Sequence, residues 1–166
     1  MKVIDNFLPE DQHQAIWNYF MGDSVPWFYS SGVARDQVKE GRYFYMTHYL
    51  YRDYQPVSPG IEVCNPISKK LNVKALLRIK ANLYPNQGDH IHIHDAHKDY
   101  TFSHRAAIYS VNTCNGGTQI GTDFIESKAN RILLFDGSIP HSSSTCTDEQ
   151  VRVNIGFNYI DETCLI

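Results

Sequence analysis

The order of apolar and polar positions divides the chain into a mixed first part and a strand-rich second part. Pro9, followed by acidic residues and by apolar residues at helical spacing, predicts a helix that runs to about Met21. Residues 42–51 are aromatic and rich in strand formers, which predicts a strand, and a second short helix is predicted to begin near Asn65. We therefore expect residues 1–73 to form a helical and mixed support.

The second part, residues 74–166, is a series of short β-like runs separated by turn clusters. The predicted strands are residues 76–84, 106–112, 119–126, 131–136 and 151–160. Several short strands with regular turns are typical of a barrel or a sandwich. The predicted fold class is therefore mainly β with supporting helices, and the 166 residues are expected to form one domain.

The last predicted strand, residues 151–160, has one apolar face and one polar face that carries Arg152, Asn154 and Asn158. An arginine that faces into a sheet needs an anionic partner, because a buried unpaired charge costs several kcal/mol. This strand contains no acidic residue. A small dicarboxylate ligand, held by the guanidinium group in two parallel hydrogen bonds, is a candidate partner.

Histidine is the residue type that departs from an ordinary composition, since five of the eight histidines fall within fifteen consecutive residues. His90, His92 and His94 alternate with isoleucines, and we expect them to face water on a half-buried strand rather than to bind a metal. His97 and Asp99 differ from these three. Residues i and i+2 of an extended chain project the same way, so an imidazole and a carboxylate can reach one cation.

A third candidate ligand, His141, follows a predicted strand and a turn, forty-two residues after Asp99. Two histidines and one carboxylate leave three positions open on an octahedral metal, an arrangement that suits non-haem Fe(II). Structural zinc fits less well, because such sites are closed by four ligands and would leave the inward arginine unexplained. The serines at 142–144 are expected to form a solvated turn.

Composition and charge exclude several classes of function. With 42% hydrophobic and 20% charged residues the chain is not a disordered tail, and its formal charge of −3 gives no basic field for a long nucleic acid. No apolar stretch is long enough for a secretory signal or a bilayer span, so we expect a cytoplasmic protein without a membrane partner. The four cysteines lack a C-x-x-C pair and are expected to be reduced thiols.

Four residues stand in the order H-x-D, distal histidine and downstream basic residue: His97, Asp99, His141 and Arg152. With this pattern the sequence resembles the Fe(II)/2-oxoglutarate-dependent dioxygenases. Further motifs resemble their prolyl hydroxylase branch, especially small single-domain members encoded by phages. These motifs are the runs 82–86, 107–112, 116–118 and 130–136.

The resemblance implies a double-stranded β-helix, the jelly roll of cupin-like proteins, with supporting helices. It implies that the two histidines and the aspartate of the pattern bind iron. It also implies that Arg152 binds the C5 carboxylate of 2-oxoglutarate, to which Tyr84 donates a hydrogen bond. Further candidate contacts of this co-substrate are Ser110, Thr118 and Asn154, and Ser110 stands where relatives often have a second tyrosine.

The activity that the resemblance implies uses Fe(II), 2-oxoglutarate and O2, with ascorbate as an optional reductant. It hydroxylates an unactivated C–H bond, here of a prolyl or other peptide residue, and releases succinate and CO2. If a phage encodes the chain, the expected compartment is the host cytoplasm. Candidate substrate contacts are Arg105 and Tyr100, followed by His104, Arg35 and Tyr43.

Two alternatives to this activity stay open at the level of sequence. The first is the same iron chemistry on a nucleobase, a free amino acid or another small metabolite. The second is a non-catalytic jelly-roll module that binds a metal through the histidine cluster.

Overall fold

The computed structural model describes residues 1–32 and 43–164. The first part contains β1 (Lys2–Ile4), α1 (Glu10–Met21), β2 (Phe28–Ser30), β3 (Tyr45–Arg52), β4 (Gln55–Pro56) and α2 (Ile61–Lys70). The second part contains β5 (Ala75–Pro85), β6 (Arg105–Ser110), β7 (Cys114–Ile120), β8 (Asp123–Ser127), β9 (Arg131–Asp136), β10 (Ser142–Ser143), β11 (Val151–Ile160) and a 3-10 helix (Glu162–Cys164). None of the described helices is long and apolar enough to cross a bilayer.

The strands form two antiparallel sheets. The larger sheet has the order β1-β9-β6-β11-β5-β3-β2, with β4 paired to β3, and the smaller sheet has the order β10-β7-β8. The sheets face each other, since Arg152 on β11 reaches across to Ser127 on β8 and Thr118 on β7. The predicted jelly-roll fold is therefore confirmed.

The two faces of the larger sheet have different chemistry. Side chains alternate along a strand, so Val153 and Ile155 of β11 face away from the smaller sheet and pack with Ile79 and Ala81 of β5. Helices α1 and α2 cover this apolar face, for example through Ile16. The opposite face of the same two strands is polar, and it lines the space between the sheets.

Several element boundaries follow the sequence pattern, and others do not. The first helix, the strand at 131–136 and the strand at 151–160 have the predicted extents. The predicted strand at 42–51 is β3, which begins at Tyr45. The second helix begins at Ile61 rather than near Asn65, and β1 and β2, which were not predicted, join the larger sheet. The predicted substrate residue Arg35 lies outside the described residues.

The prediction of a single strand over residues 119–126 is wrong. Residues 114–127 form a hairpin, in which Ile120 pairs with Asp123 across a turn at Gly121. Gly121 has a φ of 59°, a left-handed conformation that glycine adopts without steric cost. Apolar residues stand on both sides of the turn, Ile120 before it and Phe124 and Ile125 after it, so the pattern did not mark the break between the two strands.

Candidate metal and co-substrate site

The predicted metal ligands come together at one end of the space between the sheets. His97 and His141 form an isolated antiparallel bridge, in which each backbone N–H donates to the carbonyl of the other at 3.0 Å. Nε2 of His97 lies 3.8 Å from Oδ1 of Asp99, and Nε2 of His141 lies 4.0 Å from Oδ2. One nitrogen or oxygen atom from each of the three residues therefore lies within 4.8 Å of the others.

Both histidines are in the state that binds a metal. Burial lowers the pKa of His97 and of His141 below the ordinary 6.5; the proximity of the His141 ring lowers the pKa of His97 further, whereas Asp99 acts to raise the pKa of His141. Nδ1 of His141 donates to the carbonyl of Ile139 at 3.2 Å, which leaves the lone pair on Nε2 facing Asp99. A neutral imidazole oriented in this way has its Nε2 lone pair free to bind a metal.

The carboxylate of Asp99 is held by two residues that sequence reasoning did not identify. Arg78 NH2 lies 2.5 Å from Oδ1, and Asn158 donates its side-chain N–H to Oδ2 at 2.9 Å. Burial acts to raise the pKa of Asp99, but the charge and hydrogen bond of Arg78, with His141 and Asn158, hold it well below its usual value. The carboxylate is therefore ionised and fixed in orientation.

A signal for both residues was present in the sequence. Arg78 stands on a predicted strand whose polar residues alternate, and Asn158 shares the polar face of β11 with Arg152. The register pairs Arg78 with Asn158 directly. The sequence pattern did not indicate that these two residues lie next to Asp99.

Arg152 lies between the sheets and is 1% exposed. Its Nε donates to the Ser127 hydroxyl at 2.7 Å, NH1 to the Ser144 carbonyl at 3.2 Å, and NH2 to the Thr118 hydroxyl at 3.1 Å. Among the described residues, no carboxylate lies within 4 Å of the guanidinium group. Three of its five N–H donors are used, and the two that remain match one carboxylate.

The other predicted co-substrate residues surround Arg152, with one exception. Tyr84 is opposite Arg152 on β5, with its ring centroid 5.2 Å from the guanidinium carbon, and Asn154 accepts a hydrogen bond from Asn82 at 2.9 Å. Burial raises the pKa of Tyr84 to about 12, although Arg152 opposes the shift, so the phenol stays a hydrogen-bond donor. The pocket between the sheets is lined by Tyr84, Thr118 and Asn154 together with the three metal-ligand residues.

The exception is Ser110, which pairs with Asn154 in register but does not line the pocket. Two further polar atoms around the pocket, Asn82 Oδ1 and Ser143 Oγ, are buried without a hydrogen-bond partner. A buried polar atom without a partner costs about 1–3 kcal/mol, so such atoms in a pocket lining indicate a polar ligand.

The predicted substrate residues are not brought together. Arg105 lies on the face of β6 away from the metal ligands, where it pairs with Asp161 at 3.1 Å. Tyr100 lies beside Asp99, with its ring 5.7 Å from the Arg78 guanidinium carbon. Two further candidates lie elsewhere. His104 is buried, with its Nε2 3.1 Å from the side-chain nitrogen of Asn158, and the ring of Tyr43 stacks on the ring of His92 with 3.7 Å between the centroids.

The histidines at 90, 92 and 94 do not all face water as expected. His90 is exposed, but His94 is 2% exposed, whereas the neighbouring Ile93 is 44% exposed. This segment makes only a single bridge, Ile93 to Ser144, and the His94 N–H donates to the Ser143 carbonyl. Because no continuous strand is formed, the neighbouring sheet does not impose an apolar inward face on the segment.

The serines at 142–144 do not form the expected solvated turn. Ser142 and Ser143 form β10, which pairs with β7, and all three serines are buried. The backbone carbonyl of Ser144 accepts a hydrogen bond from NH1 of Arg152. The four cysteines are free thiols, and Cys114 and Cys146 are buried close to each other.

Comparison with known proteins gives likeness in structure rather than in sequence. No protein-family model matches the chain, and no curated protein sequence matches it. A prolyl hydroxylase from Trichoplax adhaerens, in complex with a peptide fragment of the hypoxia inducible factor oxygen degradation domain, is similar with a TM-score of 0.67 and 18% identity. The match covers 98% of this chain and 84% of that protein.

Two further structures match over most of the chain. A prolyl-4-hydroxylase from Pseudomonas putida has a TM-score of 0.60 at 11% identity, with 96% of this chain and 92% of that chain covered. HygX from Streptomyces hygroscopicus, with nickel and 2-oxoglutarate bound, has a TM-score of 0.64 at 9% identity, with 96% and 82% covered. The chain therefore has the fold of prolyl hydroxylases and of 2-oxoglutarate-Fe(II) oxygenases, as the sequence pattern implied.

Proposed function

We propose that the protein is an Fe(II)- and 2-oxoglutarate-dependent dioxygenase that hydroxylates an unactivated C–H bond of a prolyl or other peptide residue and releases succinate and CO2. The observation that carries the proposal is the closeness of two features between the sheets. His97, Asp99 and His141 line the pocket, and behind its lining residue Thr118 lies Arg152, a buried arginine without a carboxylate partner among the described residues.

The three ligand residues fit Fe(II). Two neutral imidazoles and one ionised carboxylate converge on one point, and they leave further coordination positions to other ligands. Zinc in a structural role fits less well, because such a site is closed by four protein ligands. When bound, Fe(II) supplies, with 2-oxoglutarate and O2, the oxidising power that no side chain has.

The residues around the pocket divide the remaining tasks between them. Arg152 and Thr118 would hold the distal carboxylate of 2-oxoglutarate, with the Tyr84 hydroxyl as a further donor. Arg78 and Asn158 fix the carboxylate of Asp99, so that a metal meets a ligand already oriented. The buried pocket walls keep water away from the reacting carbon, which favours a defined product.

The proposal of a peptide substrate is supported by the similar structure from Trichoplax adhaerens, which was determined with a peptide fragment bound. The side chains of His97 and Asp99 are 25% and 14% exposed, so a substrate side chain can reach these two residues from solvent.

Succinate formation tests the proposed function. Protein purified without oxygen is supplied with Fe(II), 2-oxoglutarate, ascorbate and O2, and succinate is measured in the wild type, in His141→Ala and in the control His90→Ala. We expect turnover in the wild type and in the control, whose histidine is exposed, and its loss in His141→Ala. Equal turnover in all three proteins would overturn the proposal, and so would tightly held zinc without a spectral change on addition of 2-oxoglutarate.

A further inference from the structure

The pocket carries more positive charge than the metal and co-substrate account for. Its charged lining residues are Arg78, Lys80 and Asp99, and Arg152 lies behind the inner end. Three cations and one carboxylate leave an excess of two positive charges. Fe(II) and the dianion of 2-oxoglutarate neutralise each other, so the same excess remains in the loaded pocket of the proposed enzyme.

Lys80 is the cation without a defined task. It lies on the polar face of β5, between Arg78 and Asn82. In the described parts of the chain its ammonium group has no hydrogen-bond acceptor, and its nitrogen lies 5.6 Å from the centroid of the Tyr45 ring. Burial, with the like charge of Arg78, lowers its pKa to about 8. A half-buried ammonium group without an acceptor is costly unless a ligand supplies one.

The space beside Lys80 is open. Its partner in register on β11 is Gly156, which has no side chain, and a Cβ atom at Gly156 would meet only a backbone oxygen at 3.7 Å. Lys80 and Gly156 both line the pocket together with the metal-ligand residues. The ammonium group therefore borders a recess next to the place where a substrate carbon would react.

Arg78 has donors to spare on the same side. Its Nε donates to the side-chain oxygen of Asn158 at 3.1 Å, and its NH2 contacts Asp99. Three of its five N–H donors therefore have no hydrogen-bond acceptor among the described residues. Its side chain is 20% exposed, in contrast to the enclosed Arg152. An incoming anion can therefore reach Arg78 from solvent and use N–H donors other than those that contact Asp99 and Asn158.

We infer that the primary substrate is recognised through a carboxylate that binds between Lys80 and Arg78, beside the reacting carbon. This inference rests on the proposed function. In a peptide the carboxylate belongs to an acidic side chain near the target residue, and in a free amino acid it is the α-carboxylate. Both sources present the same chemistry to the two cations.

The experiment compares matched probes that differ in one carboxylate. One library of acetylated, amidated tetrapeptides carries Glu at a fixed position and a second carries Gln there, and a pool of free amino acids is compared with the corresponding amides. Binding to the Zn(II)- and 2-oxoglutarate-loaded protein is measured by saturation-transfer NMR, and succinate formation is measured with Fe(II). The wild type is compared with Lys80→Met, Lys80→Arg and the control Lys74→Met, which removes an exposed lysine paired with Glu162.

We expect the wild type to prefer the carboxylate probes by about tenfold to a hundredfold, the usual range for a hydrogen bond to a charged group. Lys80→Met keeps an apolar stem against Tyr45, and in this variant the ratio of acid to amide binding should be about tenfold lower than in the wild type. Lys80→Arg and Lys74→Met should keep the wild-type ratio. Binding of the Glu library assigns the carboxylate to a peptide side chain, and binding of the amino acids assigns it to an α-carboxylate.

Three results would overturn the inference. The first is that the acid and the amide probes bind equally well, and the second is that no probe binds. The third is that Lys80→Met raises the Kd for 2-oxoglutarate without changing the binding of the probes. The last result would assign Lys80 to the co-substrate. Failure of the proposed function is distinguished by the absence of any 2-oxoglutarate-dependent thermal stabilisation or succinate formation, whichever probe is present.

Discussion

Replacement of Arg152 by methionine removes the cation that we assign to 2-oxoglutarate while it keeps most of the side-chain volume. The residue is 1% exposed, and its two unused N–H donors are the ones that a carboxylate would occupy. The variant also leaves the Ser127 and Thr118 hydroxyls and the Ser144 carbonyl without the hydrogen bonds that Arg152 donates to them, so we expect it to lower stability as well. The effect on 2-oxoglutarate is therefore measured within each protein, as the difference between unfolding with and without the ligand.

The magnitude follows from the two lost hydrogen bonds. A hydrogen bond to a charged group contributes about 1.5–3 kcal/mol, so the loss of two costs about 3–6 kcal/mol and raises the Kd for 2-oxoglutarate on the order of 10²–10⁴-fold. At a ligand concentration of about 100 times the wild-type Kd, binding stabilises the wild type by about 2.7 kcal/mol. For a chain of 166 residues this corresponds to a rise in Tm of about 5–10 °C.

Thermal unfolding with and without 2-oxoglutarate, in the presence of Zn(II), measures this effect without turnover. We expect the rise in Tm in the wild type and in the control Arg105→Met, because Arg105 lies on the other face of β6 and pairs with Asp161. In Arg152→Met the rise should fall to about 1 °C or less. A rise equal to that of the wild type in Arg152→Met would refute the assignment of the arginine to the co-substrate.

Three further predictions concern the surroundings of the site. Gly116→Ala would place a Cβ atom 2.4 Å from a backbone oxygen and 3.0 Å from the Arg152 side chain, so we expect a loss of about 1–3 kcal/mol in urea unfolding, while Gly156→Ala, with 3.7 Å of space, should lose less than 1 kcal/mol. Asn158→Ala removes a hydrogen bond to the metal-ligand carboxylate, and Co(II) titration should show metal affinity about 10–100-fold lower; unchanged affinity would contradict the positioning role. Burial, with the neighbouring His92, lowers the pKa of His94 to about 3, so His94 stays neutral in the folded state while it becomes protonated in the unfolded state below pH 6.5. The free energy of unfolding should therefore fall as the pH falls below 6.5, by about 2 kcal/mol at pH 5. This pH dependence should be smaller in His94→Phe and unchanged in His90→Phe when the free energy of unfolding is measured between pH 7 and pH 5.

Alternation along single strands made much of the fold predictable. The strand that carries Arg152 has the predicted extent, and its polar face lies inward as expected, because a period of two is a local property of the chain. The same pattern did not show the turn at Gly121, because apolar residues stand on both sides of it. It also misplaced His94, because a segment with only one bridge has no sheet to fix which side is apolar.

The convergence of the three candidate ligands was predictable, and the residues that hold Asp99 were not. His97 and Asp99 are two residues apart, so their joint direction follows from local geometry, and His141 completes a spacing that the sequence displays. Arg78 and Asn158 reach Asp99 only because β5 and β11 pair in a register that sets these two residues side by side. Register depends on contacts between distant segments, and no single stretch of sequence contains it.

The sequence by itself determined which side chains share a strand face and which residues have metal-ligand spacing, because both depend on neighbours within a few positions. Only the tertiary structure decided what those faces meet. It placed Arg152 against hydroxyls with no carboxylate in reach among the described residues, and it left Lys80 opposite a glycine with its charge unmatched. The physical reason is that burial and charge pairing are properties of the space between two sheets, and that space exists only after strands far apart in the chain have paired.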